Sequence, residues 1–159
     1  MYITINYLAI IVAAVANMIL GALWFGPLFG KQWMRATFGS AAAAKAKMEN
    51  AMEKGMGMSY GLMGLGSLVM AFTLSRILAF GVRYLGLGGL SLAFSTSLFL
   101  WVGLVVPITI GVVLWDGKSW GYWALTYTYY LVGFLLMRSI LTLWMYLKKI
   151  RTASGDMQK

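Results

Sequence analysis

The first 30 residues of the chain contain no charged side chain, and this feature most limits the folds available to it. The core of a bilayer is about 30 Å thick, and about 20 apolar residues in a helix cross it. Residues 5–25 meet that requirement. Gly26-Pro27 follows, and proline disfavours helix at the preceding residue and lacks an N–H group. The sequence therefore predicts a membrane-spanning helix that ends at Gly26-Pro27.

Similar apolar stretches recur three times, at residues 58–82, 90–114 and 123–147. Only 11% of all residues are charged, whereas soluble domains average about 25%. We expect an all-α fold, an integral membrane bundle of four transmembrane helices. The spans form a single membrane domain, residues 1–147, and residues 148–159 form a basic polar tail.

The stretch between the first and second spans has a different character. Residues 40–54 mix alanine with charged residues, a composition that favours a short helix outside the membrane core. Methionines recur four residues apart on one face of this helix, at Met48, Met52 and Met56. We expect a short amphipathic surface helix that lies on the membrane or against the spans.

The side-chain inventory excludes most catalytic chemistry. The chain has no Cys and no His, which removes the thiolate, the commonest general base and the commonest metal ligand. All four acidic residues lie outside the predicted spans, so acid–base pairs are nearly unavailable. We expect no enzymatic activity, no cofactor and no metal.

The net charge of +9 has a membrane explanation. Most cations lie in loops and tails beside apolar runs, where they meet anionic headgroups. We therefore expect membrane lipids as partners, and no nucleic acid. Seven cations lie on the side of the termini and six on the other, so the positive-inside rule does not fix the orientation.

Small residues mark the faces on which these helices are expected to pack. In span one they recur every four residues, and in span two several glycines lie in the first half. Small side chains let helix backbones approach closely in a membrane. The residues predicted to serve helix packing are Ala13, Gly21, Gly57, Gly61 and Gly64.

Four residues form the candidate polar site within the membrane: Asn17, Arg76, Tyr130 and Arg138. The amide of Asn17 needs a partner, either across a helix interface or on a ligand. Arg76 either extends to the headgroups or acts as a functional cation. Tyr130 belongs to a cluster of Tyr and Thr at the start of span four.

Arg138 is the most suggestive residue of this set. It lies ten residues before Lys148, about 15 Å by helical rise, and no span contains an acid that could pair with it. A hydroxyl, a freed carbonyl, Asn17, a lipid phosphate or water must serve as its partner. Two interpretations stay open, snorkelling or structural hydrogen bonding on one side and an anion or substrate role on the other.

An ordered series of motifs resembles a bacterial membrane family known as the domain of unknown function 1761 family. The series begins with Gly-Ala-Leu-Trp-Phe-Gly-Pro-Leu at residues 21–28 and Phe-Gly-Lys-x-Trp-Met at 29–34. It continues with Ser-Leu-Val-Met-Ala at 67–71, the Asp-Gly-Lys-x-Trp turn at 116–120 and Ile-Leu-x-Leu-Trp at 140–144. The resemblance implies a four-span protein of the bacterial inner membrane without an assigned activity. The family pattern has Tyr-His where this chain has Tyr129-Tyr130, which puts any role of that His in doubt here.

Two functions fit these observations. The first is a structural or accessory subunit that associates through helix packing with itself or with a larger membrane complex. The second is a small homo-oligomeric transporter or channel that uses Arg138 and Asn17 in a polar path, with several subunits combined because four spans are few for one.

Overall fold

The computed structural model describes residues 6–53, 57–85 and 88–156, which form helices joined by short turns and contain no strand. Four helical stretches are long and apolar enough to cross a membrane: Tyr7–Leu28, Gly57–Tyr84, Leu90–Leu114 and Trp120–Lys148. The prediction of an all-α bundle with four spans, and with a further helix between the first and second, is confirmed.

The first span changes from α-helix to a π-helical turn at its end. Helix α1 (Tyr7–Leu23) begins at Asn6, whose side-chain oxygen accepts the N–H of Ala9. A π-helical turn, Trp24–Leu28, follows, and inside it Gly26 leaves the helical region with φ −101° and ψ −105°. Gly26-Pro27 therefore breaks the helix where the sequence indicated, because proline cannot continue the hydrogen-bond ladder.

Two short helices connect the first span to the second. Helix α2 (Gly30–Phe38) was not predicted from the sequence, and α3 (Ala41–Glu53) coincides with the helix predicted for residues 40–54. The location of that helix on the membrane surface stays a prediction. Gly39 separates them at φ +75°, a conformation that glycine adopts without strain. Of the predicted methionine face, Met56 and the side chains of Met48 and Met52 lie outside the described part of the chain.

The remaining spans differ in regularity. Helix α4 (Gly57–Leu85) is continuous. The third span consists of α5 (Leu90–Leu100), a π-helical turn (Trp101–Val105), α6 (Val106–Thr109) and α7 (Gly111–Leu114). The change of winding comes directly before Pro107, which donates no hydrogen bond. Helix α8 (Trp120–Asp156) has 37 residues, so helix continues beyond residue 147 into the basic tail.

Helix α8 is central to the bundle, since it packs against α1, α4 and α5. Small and aliphatic side chains fill the interfaces, including Ala13 and Ala14 of α1, Ala71 of α4 and Met137 of α8. The alanines let α1 approach its neighbours closely. We call the end with the start of α1 and the end of α8 the terminal end, and the opposite end, with residues 115–119, the loop end.

Candidate functional site

Asn17 lies in the interior of the bundle, with 1% of its surface exposed. Its amide nitrogen donates to the hydroxyl of Ser67 on α4 at 3.0 Å. The hydroxyl of Tyr129 on α8 donates to the backbone carbonyl of Asn17 at 3.3 Å. This one residue therefore joins α1 to both α4 and α8.

Two glycines make room for these contacts. A Cβ atom at Gly133 would lie 2.6 Å from the side-chain oxygen of Asn17, and one at Gly21 would lie 3.0 Å from the hydroxyl of Tyr129. The first distance is below any normal contact, so α1 and α8 approach each other here because position 133 has no side chain. These pairs also set an antiparallel register between α1 and α8.

Arg138 is fully buried, with 0% of its surface exposed. One terminal nitrogen of its guanidinium donates to the backbone carbonyl of Leu74 on α4 at 3.0 Å. The other donates to the hydroxyl of Thr96 on α5 at 2.8 Å, and that hydroxyl in turn donates to the carbonyl of Leu92. Arg138 thus joins α8 to α4 and α5 through one planar group that presents several donors.

The charge of Arg138 has no acidic partner within the four spans, because none of them contains Asp or Glu. Among the described residues, its Nε has no hydrogen-bond partner, and neither does the buried hydroxyl of Thr142, one turn further along α8. Such a cation depends on dipoles alone for compensation, which makes it costly to bury. Two buried polar groups at this point of the bundle, the Nε of Arg138 and the hydroxyl of Thr142, therefore lack a hydrogen-bond partner among the described residues.

Asn17 and Arg138 lie at different heights in the bundle. Their partners on α4, Ser67 and Leu74, are seven residues apart, or about 10 Å along the helix. Apolar side chains separate the two layers, among them Met137, which is fully buried. The register of α1 and α8 places Arg138 at the height of Val12 of α1. Arg138 is therefore about 8 Å from the start of α1, toward the terminal end.

The structure does not bring Arg76 and Tyr130 into these layers. Arg76 is exposed on the outer surface of α4, with its guanidinium carbon 5.2 Å from the centre of the Phe72 ring. Tyr130 contacts the rings of Tyr127 and Tyr129, with centroids 5.9 and 5.3 Å apart. Within the described part of the chain, neither side chain forms a hydrogen bond or ring contact with Arg138 or Asn17, so the four candidates occupy four separate environments.

Some of the predicted packing residues lie at helix interfaces within the bundle, and others are exposed. Ala13 is fully buried, and Gly21 is buried against Tyr129. A Cβ at Gly64 would lie 3.4 Å from the sulfur of Met18, so this glycine faces α1. Gly57 and Gly61 are exposed, and a Cβ at either would meet nothing within 4 Å. Their role in packing against another chain stays a prediction.

A comparison with known families identifies the family of the chain. The profile described as "Protein of unknown function (DUF1761)" matches residues 8–142. The chain belongs to the DUF1761 family. No curated protein and no solved structure matches it. The matched region includes Asn17, Thr96 and Arg138, so both polar layers lie inside the DUF1761 domain.

Aromatic residues close the loop end of this DUF1761 bundle. The indole N–H of Trp24 donates to the carbonyl of Leu125 at 3.1 Å, and that of Trp101 donates to the carbonyl of Tyr127 at 2.7 Å. The N–H of Trp123 donates to the hydroxyl of Thr109 at 3.1 Å. These contacts were missed from the sequence, which indicated only that Trp marks the interface with water.

A groove on the outer surface separates α4 from α5 and the π-helical turn after it. Its volume is about 200 Å³, and its lining is almost wholly apolar, with Val69 and Ile77 on one wall, Leu100 and Leu104 on the other, and Phe134 of α8 between them. Leu74, whose carbonyl accepts from Arg138, also lines it. Arg138 itself is not among the residues that line this groove of the DUF1761 chain.

Proposed function

We propose that this protein is a structural or accessory subunit that resides in the membrane and associates through helix packing with itself or with a larger complex. The observation that carries the proposal is the uncovered surface of the third span. Only 6% of the third span is buried within the chain, against 28% of each of the others. Large apolar side chains such as Phe99 and Ile108 point outward, with 82% and 77% of their surfaces exposed.

Lipid can cover an apolar surface without any protein partner, so the exposed apolar side chains do not by themselves indicate association. The exposed glycines of α4 supply the specific argument. Gly57 and Gly61, four residues apart on one face of α4, have open space where a Cβ would lie. Exposed glycine weakens a helix by roughly 1 kcal/mol relative to alanine and contributes no side chain to lipid contact. In membrane helices such residues are enriched where a second backbone approaches closely. A face of this kind supports association with another helix.

In this proposal the two polar layers stabilise a scaffold. Asn17 and Arg138 fix three helices around α8, and the burial of both side chains suits a structural role. The protein has no enzymatic activity, because its acids lie outside the spans and it lacks His and Cys. Its location is the bacterial inner membrane, and its cations contact anionic lipid headgroups.

The test compares two leucine substitutions in protein extracted with a mild detergent. Gly61→Leu fills the open face of α4, and Ala22→Leu makes a similar addition on the exposed surface of α1. We expect native electrophoresis and light scattering to show an assembly that Gly61→Leu disrupts and Ala22→Leu preserves. A wild-type chain that runs as a monomer without companions would contradict the proposal.

One observation favours the alternative, a small homo-oligomeric transporter or channel. Arg138 is buried without an acid in any span, and its Nε lacks a partner among the described residues. A cation of that kind suits an anion that passes or binds transiently. The alternative predicts anion flux into liposomes that Arg138→Lys reduces and Arg76→Lys leaves unchanged. Absence of flux in wild-type liposomes would count against it.

A further inference from the structure

A recess of about 520 Å³ opens at the terminal end, where α8 runs past the start of α1. It is lined by Asn6, Trp144, Leu147, Lys148 and Arg151. The register between the two helices brings Asn6 to the height of Trp144. The rest of α8 therefore extends beyond the first span, and Lys148 and Arg151 lie about 6 and 10 Å past Trp144 along the helix.

Cationic side chains contribute to the lining of the recess. Among the described residues that line it, the charged ones are Lys148 and Arg151. The amino-terminal end of α1 also opens there, and Asn6 uses its side-chain oxygen to cap that helix, so its amide presents N–H donors. A helix of 17 residues carries a partial positive charge at its first turn. Two cations and a helix amino terminus together favour an anion.

Each apolar residue of the recess on α8 lies one helical turn before a cation. Trp144 lies one turn before Lys148, and Leu147 lies one turn before Arg151, so each cation follows an apolar side chain on the same face of α8. Leu143, one turn before Leu147, continues this apolar column and is 50% exposed. A free phosphate ion would contact the cations alone, whereas a phospholipid would contact the cations with its headgroup and the apolar column with its acyl chain.

Trp144 and the cations also lie at a height suited to a headgroup. Tryptophan is enriched where hydrocarbon meets water, and the candidate fourth span ends at Lys148. We propose that this recess is a specific binding site for the phosphate headgroup of an anionic phospholipid, whose acyl chain lies along Leu143 and Leu147. The site lies at the carboxyl end of the fourth span and beyond the region that the family profile matches.

Native mass spectrometry of the delipidated full-length protein tests the site, with phosphatidylglycerol or phosphatidylcholine added in turn. The variant Lys148→Gln/Arg151→Gln removes both cations. Each cation near a membrane surface contributes about a fivefold preference for anionic lipid, so we expect phosphatidylglycerol to bind about thirtyfold more weakly. The control variant Arg76→Gln/Arg83→Gln removes two exposed cations of α4 toward the same end, and its binding should change much less.

Thermal unfolding of both variants in detergent checks that each is folded. An equal loss of binding in the two double variants would show that the general surface potential attracts the lipid, and it would overturn the proposal. Equal binding of phosphatidylcholine would overturn it as well. Displacement of the lipid by inorganic phosphate would assign the recess to a free anion and refute the lipid.

Discussion

Substitution of Gly133 by alanine tests the close approach of α1 and α8 directly. The new Cβ would lie 2.6 Å from the side-chain oxygen of Asn17, which is itself fixed by its hydrogen bond to Ser67. Overpacking of this kind costs about 1–3 kcal/mol. The higher helix propensity of alanine returns roughly 1 kcal/mol. We expect Gly133→Ala to lower the free energy of unfolding by about 0–2 kcal/mol.

Unfolding in mixed micelles, followed by circular dichroism, measures this change. Gly66→Ala is the matched control, because Gly66 lies within α4 and a Cβ there meets nothing within 4 Å. It should raise stability by up to about 1 kcal/mol. The two substitutions are chemically identical, so an opposite sign would isolate the steric effect.

A double-mutant cycle identifies the partner in this clash. Asn17→Ala removes the oxygen that position 133 meets, at the cost of the Asn17–Ser67 hydrogen bond, worth about 0.6–1.7 kcal/mol in a membrane protein. In the Asn17→Ala background we expect Gly133→Ala to be neutral or stabilising. If the two costs instead add within about 0.5 kcal/mol, Asn17 does not limit position 133 and the reasoning fails.

Three further predictions concern the other contacts of α8, each read as a change in the same unfolding free energy. Arg138→Lys should lower stability by about 1.5–3 kcal/mol, because a single ammonium cannot keep the two-pronged geometry of the guanidinium, and a change below 0.5 kcal/mol would argue against that clamp. Thr96→Val should lower stability by about 1.5 kcal/mol alone and by much less in the Arg138→Lys background, because both substitutions remove the same hydrogen bond, the one between Arg138 and Thr96. Trp101→Phe should cost about 0.6–1.7 kcal/mol through loss of its indole hydrogen bond, whereas Trp120→Phe, at a residue 59% exposed, should change little.

Much of the fold could be predicted because the membrane limits the alternatives. A backbone in hydrocarbon must satisfy its own hydrogen bonds, so long apolar stretches predict helices. The break at Gly26-Pro27 was predicted for a similarly local reason, the missing N–H of proline. Helix α2 was missed although Trp33, Met34 and Phe38 recur at helical spacing. It is only nine residues long, and its aromatic residues were interpreted as markers of the membrane interface instead.

The candidate site was less predictable. The sequence identified Arg138 and Asn17 as polar residues in apolar stretches, and it indicated that no acid could pair with Arg138. It did not identify Leu74 and Thr96 as the partners. A backbone carbonyl has no signature in a sequence, and Thr96 is one of several hydroxyls near the start of the third span.

The sequence by itself determined the number of spans, their approximate limits and the absence of acids inside them, because these depend on composition along one segment at a time. The tertiary structure decided which faces meet. It placed Asn17 and Arg138 in separate layers about 10 Å apart, directed Gly133 toward Asn17, and left Gly57 and Gly61 on the outside. Such choices depend on the rotation and register of whole helices around α8, and those are set by the combined packing of side chains from several segments.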